Sequence, residues 1–323
     1  MASETSAHPV AGSASEVWLP IPPDEITGLP EGLTYRHWDG AEYPADPADC
    51  GFYVVPYMKG PQVAVRPLER MKSVQVVQTL TAGVDHVLPA VPSLPAGTRV
   101  CNARGVHDAS TAELALALIL ASLRRLPEFV RAQSTGQWLQ AVYPALADRS
   151  VLIVGYGGIG SAIEDRLAPF EVGEVMRVAR TARTTPRGDV HALDALPELL
   201  PRADVVVLCT PLTDQTRGLA DAEFLARMKD QALLVNVARG KVVDTDALLA
   251  ELTAGRLRAG LDVTDPEPLP ADHPLWQAPG VLISPHVGGA STAFLPRGKR
   301  MLRAQLGRWA AGEPLEHVVA VAD

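Results

Sequence analysis

The sequence predicts an α/β protein built on doubly wound parallel sheets, and three observations carry that expectation. Six short apolar runs, at 151–154, 175–178, 205–208, 233–237, 259–263 and 281–284, alternate with helical stretches. They show no polar alternation, as expected of strands covered on both faces. The first run leads directly into Gly155-Tyr156-Gly157-Gly158-Ile159-Gly160 and then a helical stretch, so strand, tight turn and helix follow in the order a βαβ unit needs. Earlier in the chain, Val17-Trp18-Leu19, Phe52-Tyr53-Val54-Val55 and Val74-Gln75-Val76-Val77 are separated by Pro- and Gly-rich turns, which predicts a second, smaller α/β unit.

With 323 residues, 47% of them hydrophobic, the chain is long enough for two cores. A net charge of -8 with scattered basic residues repels nucleic acid and anionic membrane surfaces, so a small anionic substrate would need a local basic site. Cys50, Cys101 and Cys209 are odd in number, far apart and without a CxxC pair. That pattern argues against a disulfide framework or a metal site and fits a reducing cytoplasm. The longest apolar stretch, 114–123, is about half the ~20 residues a membrane helix needs. Residues 1–15 have neither the basic nor the apolar segment of a signal peptide and are expected to form a disordered tail.

Ser110-Thr111-Ala112-Glu113 reads as a capping box, with Ser110 as N-cap, opening an Ala/Leu helix that runs to Arg124-Arg125. A helix apolar all round must be buried against another domain or another subunit, so a homodimer is expected. From about Gly288 a helical pattern passes through Met301, Leu302, Leu306 and Trp309 with no strand of its own, and is expected to pack back on the first unit. The resulting division is 16–103 with 288–323 as a discontinuous substrate-binding domain, and 104–287 as a dinucleotide-binding domain.

In Gly155-Tyr156-Gly157-Gly158-Ile159-Gly160 the first glycine permits the tight turn, the second lets a pyrophosphate approach the backbone, and the third allows helix-to-strand packing. The next strand ends in Val178-Ala179-Arg180-Thr181-Ala182-Arg183, where an NAD-binding protein carries an acid for the ribose hydroxyls. Two guanidinium groups and a hydroxyl, Arg180, Arg183 and Thr181, suit a 2′-phosphate instead, so NADP(H) is the expected cofactor with NAD(H) possible.

Further segments stand at or just past strand ends: Asn236-Val237-Ala238-Arg239-Gly240, Leu261-Asp262-Val263-Thr264-Asp265-Pro266-Glu267, and Ser284-Pro285-His286-Val287-Gly288-Gly289. With the glycine loop, Thr81-Ala82-Gly83-Val84-Asp85 and Cys101-Asn102-Ala103, this series resembles the D-isomer-specific 2-hydroxyacid dehydrogenase family along nearly the whole chain. The resemblance implies two Rossmann-like and flavodoxin-like domains with a cleft between them. It also implies that Arg239 binds a substrate carboxylate, His286 exchanges the proton at the C2 oxygen, and Glu267 holds His286. The chemistry fits: a guanidinium fork grips a carboxylate bidentately, an imidazolium donates the proton that hydride addition demands, and a carboxylate stabilises that imidazolium. By the same resemblance Ala82, Gly83 and Val84 offer backbone N–H groups to the substrate. It also implies that Cys209, Thr210, Pro211, Val237, Ala238, Asp262 and Gly288, at the later strand ends, line the cofactor site.

Formate dehydrogenases of the family pair the histidine with glutamine, so Glu267 argues against formate. The Arg180–Arg183 turn and Pro169-Phe170 look most like glyoxylate and hydroxypyruvate reductases, which makes NADPH-dependent reduction of a small 2-oxo acid to the D-2-hydroxy acid the leading expectation. Tyr57, Met58 and Arg104 are candidates for the substrate cleft. NAD-linked oxidation of a hydroxy acid is the first alternative. A dinucleotide-sensing binding protein is the second, since corepressors share the fold.

Overall fold

A computed structural model describes residues 15–323, so the expected tail lies outside the described residues apart from Ser15. The chain divides into two compact units, one reaching to His107 and resuming at Thr292–Asp323, the other formed by Asp108–Ser291. In chain order the first unit holds β1 (Glu16–Leu19), β2 (Thr34–His37), β3 (Cys50–Val54), α1 (Pro61–Val65), β4 (Val76–Gln78) and β5 (Arg99–Cys101). The second begins with α2 (Asp108–Leu123) and α3 (Leu126–Ser134), then β6 (Ser150–Val154), α4 (Gly158–Leu167), β7 (Glu174–Val178), β8 (Arg183–Thr185) and β9 (Gly188–His191). It continues through α5 (Leu196–Leu199), β10 (Val205–Leu208), α6 (Ala222–Arg227), β11 (Leu233–Asn236), α7 (Thr245–Thr253), β12 (Arg258–Leu261) and β13 (Val281–Ile283). The chain then returns to the first unit with α8 (Phe294–Ala310) and β14 (Val318–Val321).

In the larger unit the sheet runs β13-β12-β11-β10-β6-β7-β9-β8, parallel except for the β8–β9 hairpin. Alternate residues of each strand enter two separate cores. Leu152, Val154, Val206, Leu208 and Leu234 face one, while Val151, Ile153, Val205, Val207 and Val235 face the other. Burial on both faces explains why these strands read as unbroken apolar runs. Strand order reverses between β6 and β10, which places the turns after these two strands where doubly wound sheets bind ligands.

The smaller unit repeats the plan with the order β14-β5-β4-β3-β1-β2, parallel except for β14. Helix α8 is amphipathic; Phe294, Leu302, Leu306 and Trp309 enter the core formed with Val17, Phe52 and Val76, and the Trp309 and Phe52 rings lie 5.3 Å apart.

Three expectations need correction. The segment after Gly288 does have a strand, β14, hydrogen-bonded along β5. Helix α2 starts at Asp108 rather than after Ser110; Ser110 lies inside its first turn, buried, while Glu113 faces solvent. The apolar faces of α2 are covered by α4, β11, β12 and β13 of its own unit, so its composition does not require a partner subunit. No helix among the described residues is long and apolar enough to cross a membrane.

Candidate active site

The turn after β6 is shaped by contact with the turn after β10. Gly155 has φ +108, and a Cβ there would lie 2.6 Å from the backbone of Cys209 and Thr210, so only glycine lets the two turns touch. The Cys209 thiol donates to the Gly155 carbonyl at 3.2 Å, and burial pushes that thiol up to about 12, keeping it protonated. Beyond Gly155 the backbone opens. A Cβ on Gly157 would meet nothing within 4 Å, and α4 begins at Gly158 with no side chain capping its first turn. Unclaimed N–H groups beside open space suit the pyrophosphate of a dinucleotide. Ile159 packs on the core behind this turn, while Thr210 and its neighbour Pro211 follow Cys209 at the end of β10.

The basic turn after β7 is tied to the same loop. Arg180, Thr181 and Arg183 are exposed, and Arg183 donates to the Tyr156 carbonyl at 2.6 Å. Arg180 forms no ion pair among the described residues. Beneath them the Tyr156 ring lies under the guanidinium groups of Arg177 and Arg183, at 5.8 and 6.0 Å from its centroid. Its hydroxyl donates to Glu164, which also takes two N–H groups from Arg177. Burial opposes the charge on Glu164, but the hydrogen bonds and charge of Arg177, with the Tyr156 hydroxyl, outweigh it and hold the carboxyl below the usual range. Glu164 and Asp165 are engaged by Arg177 and Arg187, and neither Arg180 nor Arg183 forms an ion pair among the described residues.

The trio comes from three neighbouring strand ends. After β11, the buried Asn236 side chain accepts from Ala238 N–H and donates to the Arg239 carbonyl, folding Val237, Ala238 and Arg239 into a short turn. Arg239 is half-buried. Next to it, a Cβ on Gly240 would fall 1.9 Å from the Thr264 carbonyl, so glycine allows the β11 turn to rest on the β12 turn that carries Glu267. The Glu267 carboxylate meets His286 Nδ1 at 2.5 Å. A carboxylate only accepts, so Nδ1 carries the hydrogen; Nε2 has no partner among the described residues.

His286 itself sits at φ +53, an uncommon conformation for a residue with a Cβ, and the loop is held there by Asp262. The Asp262 main-chain carbonyl accepts from His286 N–H at 2.7 Å. Its side chain, 3% exposed, accepts from the Ser284 hydroxyl and the N–H groups of Val287 and Gly288 at 2.7, 2.8 and 2.9 Å. Sequence reasoning assigned Asp262 and Gly288 to the cofactor; their observed partners are each other and the histidine loop. The clamp was not legible because most of its donors are main-chain N–H groups, which no residue type announces.

The remaining candidates belong to the smaller unit. Ala82, Gly83 and Val84 form a half-buried turn after β4. Tyr57 lies against Phe294 and stacks on His107, with ring centroids 4.2 and 5.5 Å away. Met58 and Arg104 are exposed.

Residues 116–288 match the family described as "D-isomer specific 2-hydroxyacid dehydrogenase, NAD binding domain". The chain belongs to the D-isomer specific 2-hydroxyacid dehydrogenase family. It is 37% identical over 227 residues to the human protein named glyoxylate reductase/hydroxypyruvate reductase, spanning 68% of this chain and 69% of that one. It is 34% identical over 239 residues to the glyoxylate reductase of Thermofilum pendens, spanning 69% and 68% of the two chains. Among solved structures, a family member from Xanthobacter autotrophicus in complex with NADPH superposes with a TM-score of 0.78 at 31% identity, covering 96% of this chain and 98% of that one. An NADPH-dependent glyoxylate/hydroxypyruvate reductase from Sinorhizobium meliloti, in complex with NADP, gives 0.79 at 27%, covering 94% and 97%.

The expected family and α/β fold are thus borne out, and this 2-hydroxyacid dehydrogenase is an NAD(P)-dependent oxidoreductase. Its Arg239, Glu267 and His286 all lie in the unit that carries the glycine loop.

Proposed function

We propose that the enzyme reduces a small 2-oxo acid, glyoxylate, hydroxypyruvate or a close analogue, to the D-2-hydroxy acid, with NADPH preferred over NADH. The observation that carries this reading is the His286–Glu267 pair, with Nδ1 bound and Nε2 free. The glycine turn, the first turn of α4 and the Arg180–Arg183 segment would hold the cofactor, with Val237, Ala238, Asp262 and Gly288 along the later strand ends. When bound, the reduced nicotinamide supplies a hydride to C2.

This chain's residues do the rest. Arg239 grips the substrate carboxylate and draws charge from the neighbouring carbonyl. The C2 oxygen gains electron density as hydride arrives, and protonated His286 transfers its Nε2 proton there. Glu267 stabilises the imidazolium before transfer and keeps the ring oriented with Nε2 outward. Ala82, Gly83 and Val84 supply backbone donors to an anionic group. The missing ribose acid and two arginines that form no ion pair among the described residues support NADPH. Initial rates with a panel of 2-oxo acids and each reduced cofactor test the reading: kcat/KM for NADPH should exceed that for NADH by at least about tenfold, the ratio that 1.4 kcal/mol of differential binding produces. A preference for NADH overturns the cofactor assignment, and no turnover with any 2-oxo acid overturns the reaction.

We further infer a homodimer formed through the segment following α2. Val130, Trp138 and Val142 there are large, apolar and exposed, with Trp138 at 90%, and such a grouping suits a protein contact.

A further inference from the structure

The segment from Leu80 to Val84 is unusual in how its two kinds of backbone group are used. Every carbonyl is occupied. His107 Nε2 donates to Leu80 at 2.6 Å, Ala103 N–H to Thr81 at 2.9 Å, and the Asn102 side-chain amide to Ala82 at 2.8 Å. The Thr81 hydroxyl donates to Gly83 at 2.6 Å, and the N–H groups of Val87 and Leu88 close on Val84. By contrast the N–H groups of Leu80, Thr81, Ala82, Gly83 and Val84 meet no acceptor among the described residues.

A stretch whose acceptors are all satisfied and whose donors are not is a region of net positive potential with no formal charge, the electrostatic character of an anion receptor. Its polarity depends on which way the peptide planes face. Two side chains set that choice at the turn itself. Thr81 reaches forward two residues to hold the Gly83 carbonyl, and Asn102 crosses from the end of β5 to hold that of Ala82. Asn102 is fixed in turn, since its Oδ1 accepts from Arg104 N–H at 3.2 Å and its own N–H bonds the His317 carbonyl at 3.1 Å.

We propose that Thr81 and Asn102 are positioning residues for substrate binding: by holding the Gly83 and Ala82 carbonyls, they leave the adjacent N–H groups free to receive the carboxylate of the 2-oxo acid. The inference rests on the reading that the substrate is such an acid. Removing either clamp frees a peptide plane to turn its carbonyl toward the anion, which weakens carboxylate binding without touching the proton donor.

The test uses the full-length enzyme with glyoxylate as the varied substrate and NADPH saturating, comparing wild type with Thr81→Val, Thr81→Ser and Asn102→Ala. Thr81→Val and Asn102→Ala should each raise the KM for glyoxylate about tenfold, in the range expected for an unmade hydrogen bond, with a much smaller change in kcat. The inhibition constant of oxalate should rise in parallel, while the KM for NADPH stays within about twofold. Thr81→Ser, which keeps the hydroxyl, should restore wild-type KM. Because KM is independent of the amount of active enzyme, a merely structural role would lower thermal stability and active fraction but leave it in place. Unchanged glyoxylate KM in Thr81→Val and Asn102→Ala, with a wild type that turns over, overturns the inference and leaves the proposed reaction standing. A wild type inactive toward all 2-oxo acids overturns the proposed reaction, and the inference falls with it.

Discussion

A histidine becomes a directional proton donor when one ring nitrogen is occupied and the other is presented. Glu267 occupies Nδ1 of His286, and the Asp262 clamp holds the backbone in a conformation few residues with a Cβ adopt. Replacing His286 by glutamine keeps a polar side chain of similar reach but removes the transferable proton. We expect His286→Gln to lower kcat by about 10²-fold or more, the contribution typical of general acid–base catalysis, with the Kd for NADPH nearly unchanged. Stopped-flow binding and steady-state rates on the same preparation check this, and retained turnover would remove His286 as the donor. Arg239, Glu267 and His286 stood out because each sits in a short run past an apolar strand, in a series that resembles the family's; the structure joins two of them, Glu267 and His286. Asp262 was legible as a residue of the site but not as the clamp, since Val287 and Gly288 contribute through main-chain N–H groups that any residue there would possess.

Elements differed in legibility for physical reasons. Strands β6, β10 and β11 are buried on both faces and were visible as apolar runs. β2 is mostly exposed and polar, β8 and β9 form a short surface hairpin, and β14 lies at a sheet edge with little burial, so none carried a hydrophobic signal. The start of α2 was misplaced because Ser110-Thr111-Ala112-Glu113 has the letters of a capping box, while burial of Ser110 and Thr111 overrides that local preference. Helix α4, strand β7 and the glycine turn are joined through Glu164, Arg177 and Tyr156, a cluster with no motif to announce it. Its acid sensitivity has a defined sign. The folded-state pKa of Glu164 is depressed, so its contribution is fully present above the ordinary carboxylate value and is lost as pH falls through the depressed one. Glu164→Gln should lower Tm by roughly 2–4 °C at pH 7, the shift about 1 kcal/mol produces in a domain of this size. The difference from wild type should narrow steadily in acid, as followed by circular dichroism from pH 7 to pH 3. A gap independent of pH would show that the Glu164 charge is not what stabilises the cluster.

At the scale of the molecule, exposure of Trp138 and its apolar neighbours points to association of two chains. Light scattering should give twice the 34.4 kDa chain mass, and Trp138→Ser should shift the equilibrium toward the single chain. A wild type that scatters as one chain at micromolar concentration rejects the dimer. The way the larger unit interrupts the smaller also has a temporal meaning during synthesis. Everything from Asp108 to Ser291 can emerge and acquire its own core while β5 still exposes the edge that β14 will cover, and while the Phe52 ring still awaits Trp309. The part made first is therefore completed last. Newly made chains pass through an interval in which one half is mature and the other is an open sheet seeking its final strand.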